Sequence, residues 1–151
     1  MKKPLVLVVE DNEANRELVE DLLDVAGFAV VTCPSGEEGL AWLGAHRPDL
    51  VLLDINLPGE DGLALARHLK ARPETADVPI VAVTAYAMKG DSDQILAAGC
   101  DGYISKPIDV QQFPAQVAQY LAAASKNRSD VRRFESSHGP RPAPSGTVER
   151  S

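Results

Sequence analysis

The sequence predicts an α/β chain, a (βα)5 doubly wound sheet of five parallel strands in the order 2-1-3-4-5. Three observations carry that expectation. Apolar runs of strand length recur along residues 5–105, segments with helical spacing separate them, and the runs are apolar throughout instead of alternating with polar residues. Continuously apolar strands are those covered by helices on both faces, and strands joined through helices return parallel by right-handed crossovers. With helices on both sides, the order 2-1-3-4-5 sets the first and third strands side by side. The winding reverses between them, and a ligand-binding crevice opens at their carboxyl ends.

The first strand is expected at "LVLVV", residues 5–9, followed by a helix with Leu18, Leu22, Val25 and Ala26 on one face and Gly27 as its C-terminal cap. "FAVVT", residues 28–32, makes the second strand, and Ser35 with Glu38 forms a capping-box pattern opening the second helix. "LVLL" at 50–53 is the third strand, and the third helix covers 62–71 and is ended by Pro73. "IVAV" at 80–83 is the fourth strand, with Asp91 opening a short helix that Gly99 closes. "GYIS" at 102–105 is the fifth, and the last helix carries Phe113, Val117, Tyr120, Leu121 and Ala124 on one face. Pro114 stands about five residues into a helix that Asp109 should cap, so this helix is expected to start late or to kink.

Residues 1–124 carry nine Lys and Arg against 19 Asp and Glu, a charge of −10, whereas residues 125–151 carry six against three, a charge of +3. An acidic body lacks the clustered cations that neutralise nucleic-acid phosphates, so no direct nucleic-acid partner is expected, and metal ions or basic surfaces suit it better. No stretch approaches the roughly 18 apolar residues of a membrane span, and the opening apolar run is short for a signal peptide. No membrane association and a cytoplasmic location are the expectations. Cys33 and Cys100 have no metal-ligand spacing with His46, His68 or His138 and are read as buried free thiols. Residues 125–151, rich in Ser, Pro, Gly and Arg with few sizeable apolar residues, are expected to be a disordered tail, with a short helix around 128–136 as the alternative.

The chemistry gathers at the carboxyl edge of the predicted sheet. Strand 1 runs into Glu10 and Asp11 and strand 3 into Asp54, so three carboxylates meet in one crevice. Like charges that close persist beside a cation, and hard oxygen ligands with room for water suit Mg2+. For Glu10 and Asp11 alone, a solvated charge cluster would serve equally; Asp54 beside them favours a site. Strand 4 ends on Thr84 and strand 5 runs into Lys106. Singly, these read as a loop cap and a surface charge. Together with the carboxylates they are what a transferred phosphoryl group needs, cations and donors for its developing charge, with Asp54 as a carboxylate nucleophile.

The segments "VVEDN", "LVLLDINLPGEDG", "PIVAVTA" and "GYISKP", in that order and spacing, resemble the receiver domain of bacterial response regulators in two-component signalling. The resemblance covers residues 4 to about 122, and the longer matches look like stand-alone and hybrid-kinase-associated receivers. It implies a flavodoxin-like receiver fold over residues 1–124 and a phosphorelay role. Asp54 would take the phosphoryl group from a histidine kinase or histidine phosphotransfer protein. Glu10, Asp11, Asp54 and the backbone carbonyl of Asn56 would hold Mg2+, Thr84 would hydrogen-bond a phosphoryl oxygen, and Lys106 would ion-pair with it. It further implies a cis peptide before Pro107 and an inward-turning aromatic switch at Tyr103, a position that by itself reads as a surface tyrosine. Asn56 and Tyr86 would flank the path of attacking water. A downstream protein would bind the face of helix 4, strand 5 and helix 5.

Glu10 departs mildly from the double-Asp form of the acidic pair, which leaves open whether it reaches metal directly or through water. Pro58 and Gly59 turn the chain away from the site, or make an ordinary turn. A metal-dependent phosphohydrolase with an aspartate nucleophile is the competing expectation, weakened by Asn56 where such enzymes carry a second Asp. A flavin electron carrier is weakened by the acidic crevice, which would repel an anionic phosphate.

Overall fold

The computed structural model describes residues 3–57, 61–85 and 89–124. The turn at Pro58–Gly59, Tyr86 and the expected tail lie outside the described residues. The elements run β1 (Leu5–Val9), α1 (Glu13–Val25), β2 (Ala29–Cys33), α2 (Gly36–Leu43), β3 (Leu50–Asp54), α3 (Gly62–Ala71), β4 (Ile80–Thr84), α4 (Lys89–Ala97) and β5 (Gly102–Ser105). A last helix, α5, covers 113–124. All strands are parallel, in the order β2-β1-β3-β4-β5. The first 121 residues form one compact unit; of the second, Ala122–Ser151, only the final residues of α5 are described.

The apolar strands bury both faces because their alternate residues enter two separate cores. Leu7, Val9, Val51, Leu53, Ile80 and Ala82 pack with Leu43 of α2, Ala66 and Leu69 of α3 and Ile95 of α4. Val6, Val8, Leu50, Leu52, Val81, Val83 and Ile104 pack with Val19 and Leu23 of α1 and Phe113 and Val117 of α5. β3 and β4 are buried at every position, as central strands of such a sheet must be.

Helix ends follow their local signals. Asn12, Ser35 and Asp61 cap α1, α2 and α3 by accepting N–H groups two or three residues on. Gly27 and Gly99 take positive φ just beyond α1 and α4. Two expectations need correction. The buried stripe of α1 is Val19 and Leu23 with Leu22 half-buried, whereas Leu18 is 36% and Val25 88% exposed. Both stripes share Leu22, and hydrophobic spacing alone does not choose between faces one residue apart. α4 begins at Lys89, two residues before Asp91, which lies in its first turn.

The ambiguity over α5 resolves as a late start. Asp109 Oδ1 accepts the N–H groups of Gln111 (3.0 Å) and Gln112 (3.3 Å), and Phe113 N–H bonds the Asp109 carbonyl at 2.8 Å. A turn therefore precedes the helix, which leaves Pro114 in the first α-helical turn, where its missing N–H is tolerated.

Gly62, the first residue of α3, sits against the backbone of Ile55, with an added Cβ only 2.8 Å from the Ile55 carbonyl oxygen. Backbone cannot swing aside as a side-chain tip does, so only glycine lets α3 approach the residue between Asp54 and Asn56. Gly62→Ala should lower stability by about 1–3 kcal/mol, read by denaturant unfolding, and should shift the Ile55 and Asn56 amide resonances; an unshifted, equally stable variant would refute this packing.

Candidate functional site

Strand register assembles the site. Val9 pairs with Leu53, so Glu10 stands level with Asp54; Thr84 pairs with Ser105, so Lys106 follows one step past Thr84. Backbone bonds run one residue beyond the strands and fix these positions: Glu10 N–H to the Cys33 carbonyl (3.0 Å), Ile55 N–H to Val83 (3.3 Å) and Lys106 N–H to Thr84 (2.8 Å). Glu10, Asp54 and Thr84 are buried, at 4%, 3% and 0% exposure, and Asp11 is exposed.

The three carboxylates converge: Glu10, Asp11 and Asp54 each offer an oxygen within 4.8 Å of the others. Octahedral Mg2+ with ligands at about 2.1 Å spaces its oxygens roughly 3–4 Å apart, so small side-chain movements would close the set on such an ion. The donors, all hard oxygens with one side open to water, fit it chemically. Lys106 Nζ faces two of them, 3.2 Å from Asp54 Oδ2 and 3.4 Å from Glu10 Oε1. Asp54 Oδ1 accepts the Asn56 N–H at 2.9 Å and Glu10 Oε2 the Asn12 N–H at 3.2 Å.

Burial, the largest influence, raises the Glu10 pKa above its ordinary value; the Asn12 N–H opposes this, the Asp54 charge adds to it, and Lys106 pulls it back. For Lys106, burial works against the charged form, but the attraction of Asp54 and Glu10 with hydrogen bonds to both outweighs it, and the net pKa is raised. One ammonium thus faces two acids, so the three groups together carry an excess of negative charge.

Thr84 and Tyr103 share the other face of the sheet. Thr84 follows the alternation of Ile80 and Ala82 and lines a cleft of about 190 Å³ with Ile55, Asn56, Asp61 and Ile95. Tyr103 is half-buried against the core on that face, and its carbonyl accepts the Tyr120 hydroxyl at 3.2 Å. The Lys106–Pro107 peptide is cis. Cys33 and Cys100 are buried and unbridged, and burial pushes the Cys100 thiol up to about 11.

Sequence reasoning does not single out Arg16. Its Nη1 donates to the carbonyls of both Glu10 and Asp11, each at 3.0 Å. The available signal is its place one turn after the Asn12 cap, where a long side chain can reach back over the preceding loop.

Comparison with known proteins gives the family and the fold. The response regulator receiver domain model matches residues 6–118. The polar-differentiation response regulator DivK of Brucella anthropi is 44% identical over 119 residues, a match spanning 79% of this chain and 97% of that protein. A putative response regulator from Chloroflexus aurantiacus superposes with a TM-score of 0.76 at 32% identity, covering 80% of this chain and 99% of the other. The receiver domain of the Pseudomonas aeruginosa sensor histidine kinase PA1611, solved with a magnesium ion coordinated in its active-site cleft, gives 0.72 at 30% identity over 80% and 98%. The family match over residues 6–118, most of the chain, together with the 44% identity to DivK, shows that this chain belongs to the response regulator receiver domain family.

Proposed function

We propose that the chain takes a phosphoryl group onto Asp54, in a Mg2+-dependent step, from the phosphohistidine of a histidine kinase or histidine phosphotransfer protein. The observation that carries this is the meeting of buried Asp54 with two further carboxylates and Lys106 at one sheet edge. An Asp54 carboxylate oxygen attacks phosphorus, the P–N bond to the donor imidazole breaks, and its electron pair stays on the ring nitrogen. Mg2+ held by Glu10, Asp11, Asp54 and the Asn56 carbonyl would neutralise charge on the phosphoryl oxygens. The Asn56 N–H orients the Asp54 carboxylate, and Lys106 exchanges part of its contact with Asp54 for a phosphoryl oxygen. Slow hydrolysis of the acyl phosphate follows when water attacks past Asn56. That residue offers no acid/base carboxylate, which disfavours the phosphohydrolase alternative.

The same reading makes the chain a switch for protein partners in the cytoplasm, with residues 1–124 as the receiver and 125–151 as a polar tail. The acidic body does not favour direct nucleic-acid binding, and no described helix is long and apolar enough to cross a membrane. Thr84 drawn to the phosphoryl group would vacate space for the Tyr103 ring on the same sheet face. Leu96 on α4, 45% exposed, and Val110 before α5, 50% exposed, supply apolar contacts for a downstream protein on the α4–β5–α5 face. Moving such an equilibrium from 1:99 to 99:1 takes about 5.5 kcal/mol, more than a single charge-assisted contact supplies, so partner binding completes the shift.

Incubation with Mg2+ and acetyl phosphate should add one base-labile phosphate by intact-mass spectrometry, and Asp54→Asn should abolish it; equal labelling of variant and parent would sink the assignment. The raised Glu10 pKa sets a pH dependence for the metal-free protein. A folded value above the unfolded one contributes stability below about pH 4.5 that is lost as pH rises through the folded value. Glu10→Gln, which stays neutral, should therefore gain in Tm over the parent from pH 4 to pH 7 without metal. Mg2+ at 100 times its Kd, worth about 2.7 kcal/mol to a binding protein, should stabilise the parent more than the variant. Finally, a beryllofluoride mimic should shift the amides of residues 102–113 in the parent and far less in Thr84→Ala, as read by NMR; shifts confined to the metal loops would exclude the switch.

A further inference from the structure

The three residues Glu10, Asp11 and Asn12 join β1 to α1, and two of them bring carboxylates to the acidic cluster. The Glu10 N–H still bonds β2, but the Glu10 and Asp11 carbonyls lie past the end of the strand, and both accept from Arg16 Nη1 at 3.0 Å. Arg16 is half-buried and rooted in the first turn of α1, where its own N–H bonds the Asn12 carbonyl at 2.9 Å. Asn12 in turn accepts from Asn15 and donates to Glu10 Oε2. One guanidinium nitrogen on two successive carbonyls fixes the rotation of the peptide units that carry the Glu10 and Asp11 side chains. A charged donor makes the stronger kind of hydrogen bond for that purpose.

We propose that Arg16 is a positioning residue for the acidic cluster: by holding the Glu10 and Asp11 carbonyls it sets the geometry in which those carboxylates take a divalent cation. This rests on the metal-binding role given above to Glu10, Asp11 and Asp54. Two influences of Arg16 oppose each other. As a nearby positive charge it repels a divalent cation, so a purely electrostatic role predicts that its loss tightens Mg2+ binding. As a clamp it preorganises the ligands, and its loss weakens binding. Groups that orient metal ligands from behind are typically worth about 10–100-fold in affinity, which makes the clamp the stronger influence.

The test is Mg2+ titration by calorimetry on the full chain, alongside the Mg2+ dependence of acetyl phosphate labelling. Arg16→Met should raise the Mg2+ Kd about tenfold, at the low end of that range. The Mg2+ concentration for half-maximal labelling should rise in parallel, with the rate at saturating Mg2+ within about twofold of the parent, because Arg16 touches no reacting atom. Arg16→Lys, which returns a charged donor to the same carbonyls, should recover most of the lost affinity. Unchanged or tighter binding by Arg16→Met overturns the proposal, as does an Arg16→Lys as weak as Arg16→Met. Should Arg16→Met fail to fold, Arg16→Gln carries the same expectation of weakened binding and the same overturning result. Asp11→Ala separates the two levels: parent-like Mg2+ binding there removes the cation site and the role of Arg16 with it. Loss of binding in Asp11→Ala but not in Arg16→Met removes the role of Arg16 alone.

Discussion

Negative charge concentrated at the carboxyl edge of the sheet is the constraint on which the rest of the structure depends. Three carboxylates share a space less than 5 Å across, two of them buried, and Lys106 is the cation that contacts Glu10 and Asp54. In a medium of low dielectric such an arrangement is unfavourable unless each acid is held by donors. The donors to Glu10 and Asp54 come from three chain segments, the Asn12 and Asn56 N–H groups and the Lys106 ammonium, while the Arg16 guanidinium holds the Glu10 and Asp11 carbonyls behind them. Burial, with the Asp54 charge adding to it, raises the Glu10 pKa, and the negative charge that remains suits the crevice to a divalent cation.

The fold serves this edge by making everything beneath it rigid. β3 and β4 are buried along their full length, and β1 at all but its first residue, between two apolar layers, so the strand ends cannot drift along their axes without exposing core residues. Gly62 draws α3 against Ile55, and the late start of α5 brings Phe113 under Glu10 and Asp54. The candidate site residues accordingly stand at the last positions of β3 and β4, Asp54 and Thr84, and in the connections after β1 and β5, Glu10, Asp11 and Lys106. The two faces of the sheet also divide the labour. Asp54 shares the alternation of Leu50 and Leu52, toward α1 and α5, whereas Thr84 and Tyr103 belong to the opposite layer.

Most of the candidate site is legible in the sequence because its residues stand at strand ends, and strand ends are the points that apolar runs mark most clearly. "VLLD" and "VVED" announce both the strand and the residue it delivers, and strand order follows from connection handedness. The capping residues were equally plain: Ser35 accepts from the Glu38 N–H at 3.2 Å as its spacing implies. The buried face of α1 was less so. Leu18, Leu22 and Val25 form as regular a stripe as Val19, Leu22 and Leu23, and the choice between them is made by the sheet against which the helix lies.

The sequence by itself determined the elements, their winding and the residue types at the carboxyl edge, because hydrophobic period, cap chemistry and crossover handedness are local or pairwise rules. Only the tertiary structure decided which carboxylate is buried and which is exposed, how Lys106 divides its contact between Glu10 and Asp54, and that Arg16 turns back onto the loop carbonyls. Those outcomes depend on strand register and on distances between segments as far as 96 residues apart, from Glu10 to Lys106. Electrostatic energies vary with such distances and with burial, and neither is written in the order of residues along the chain.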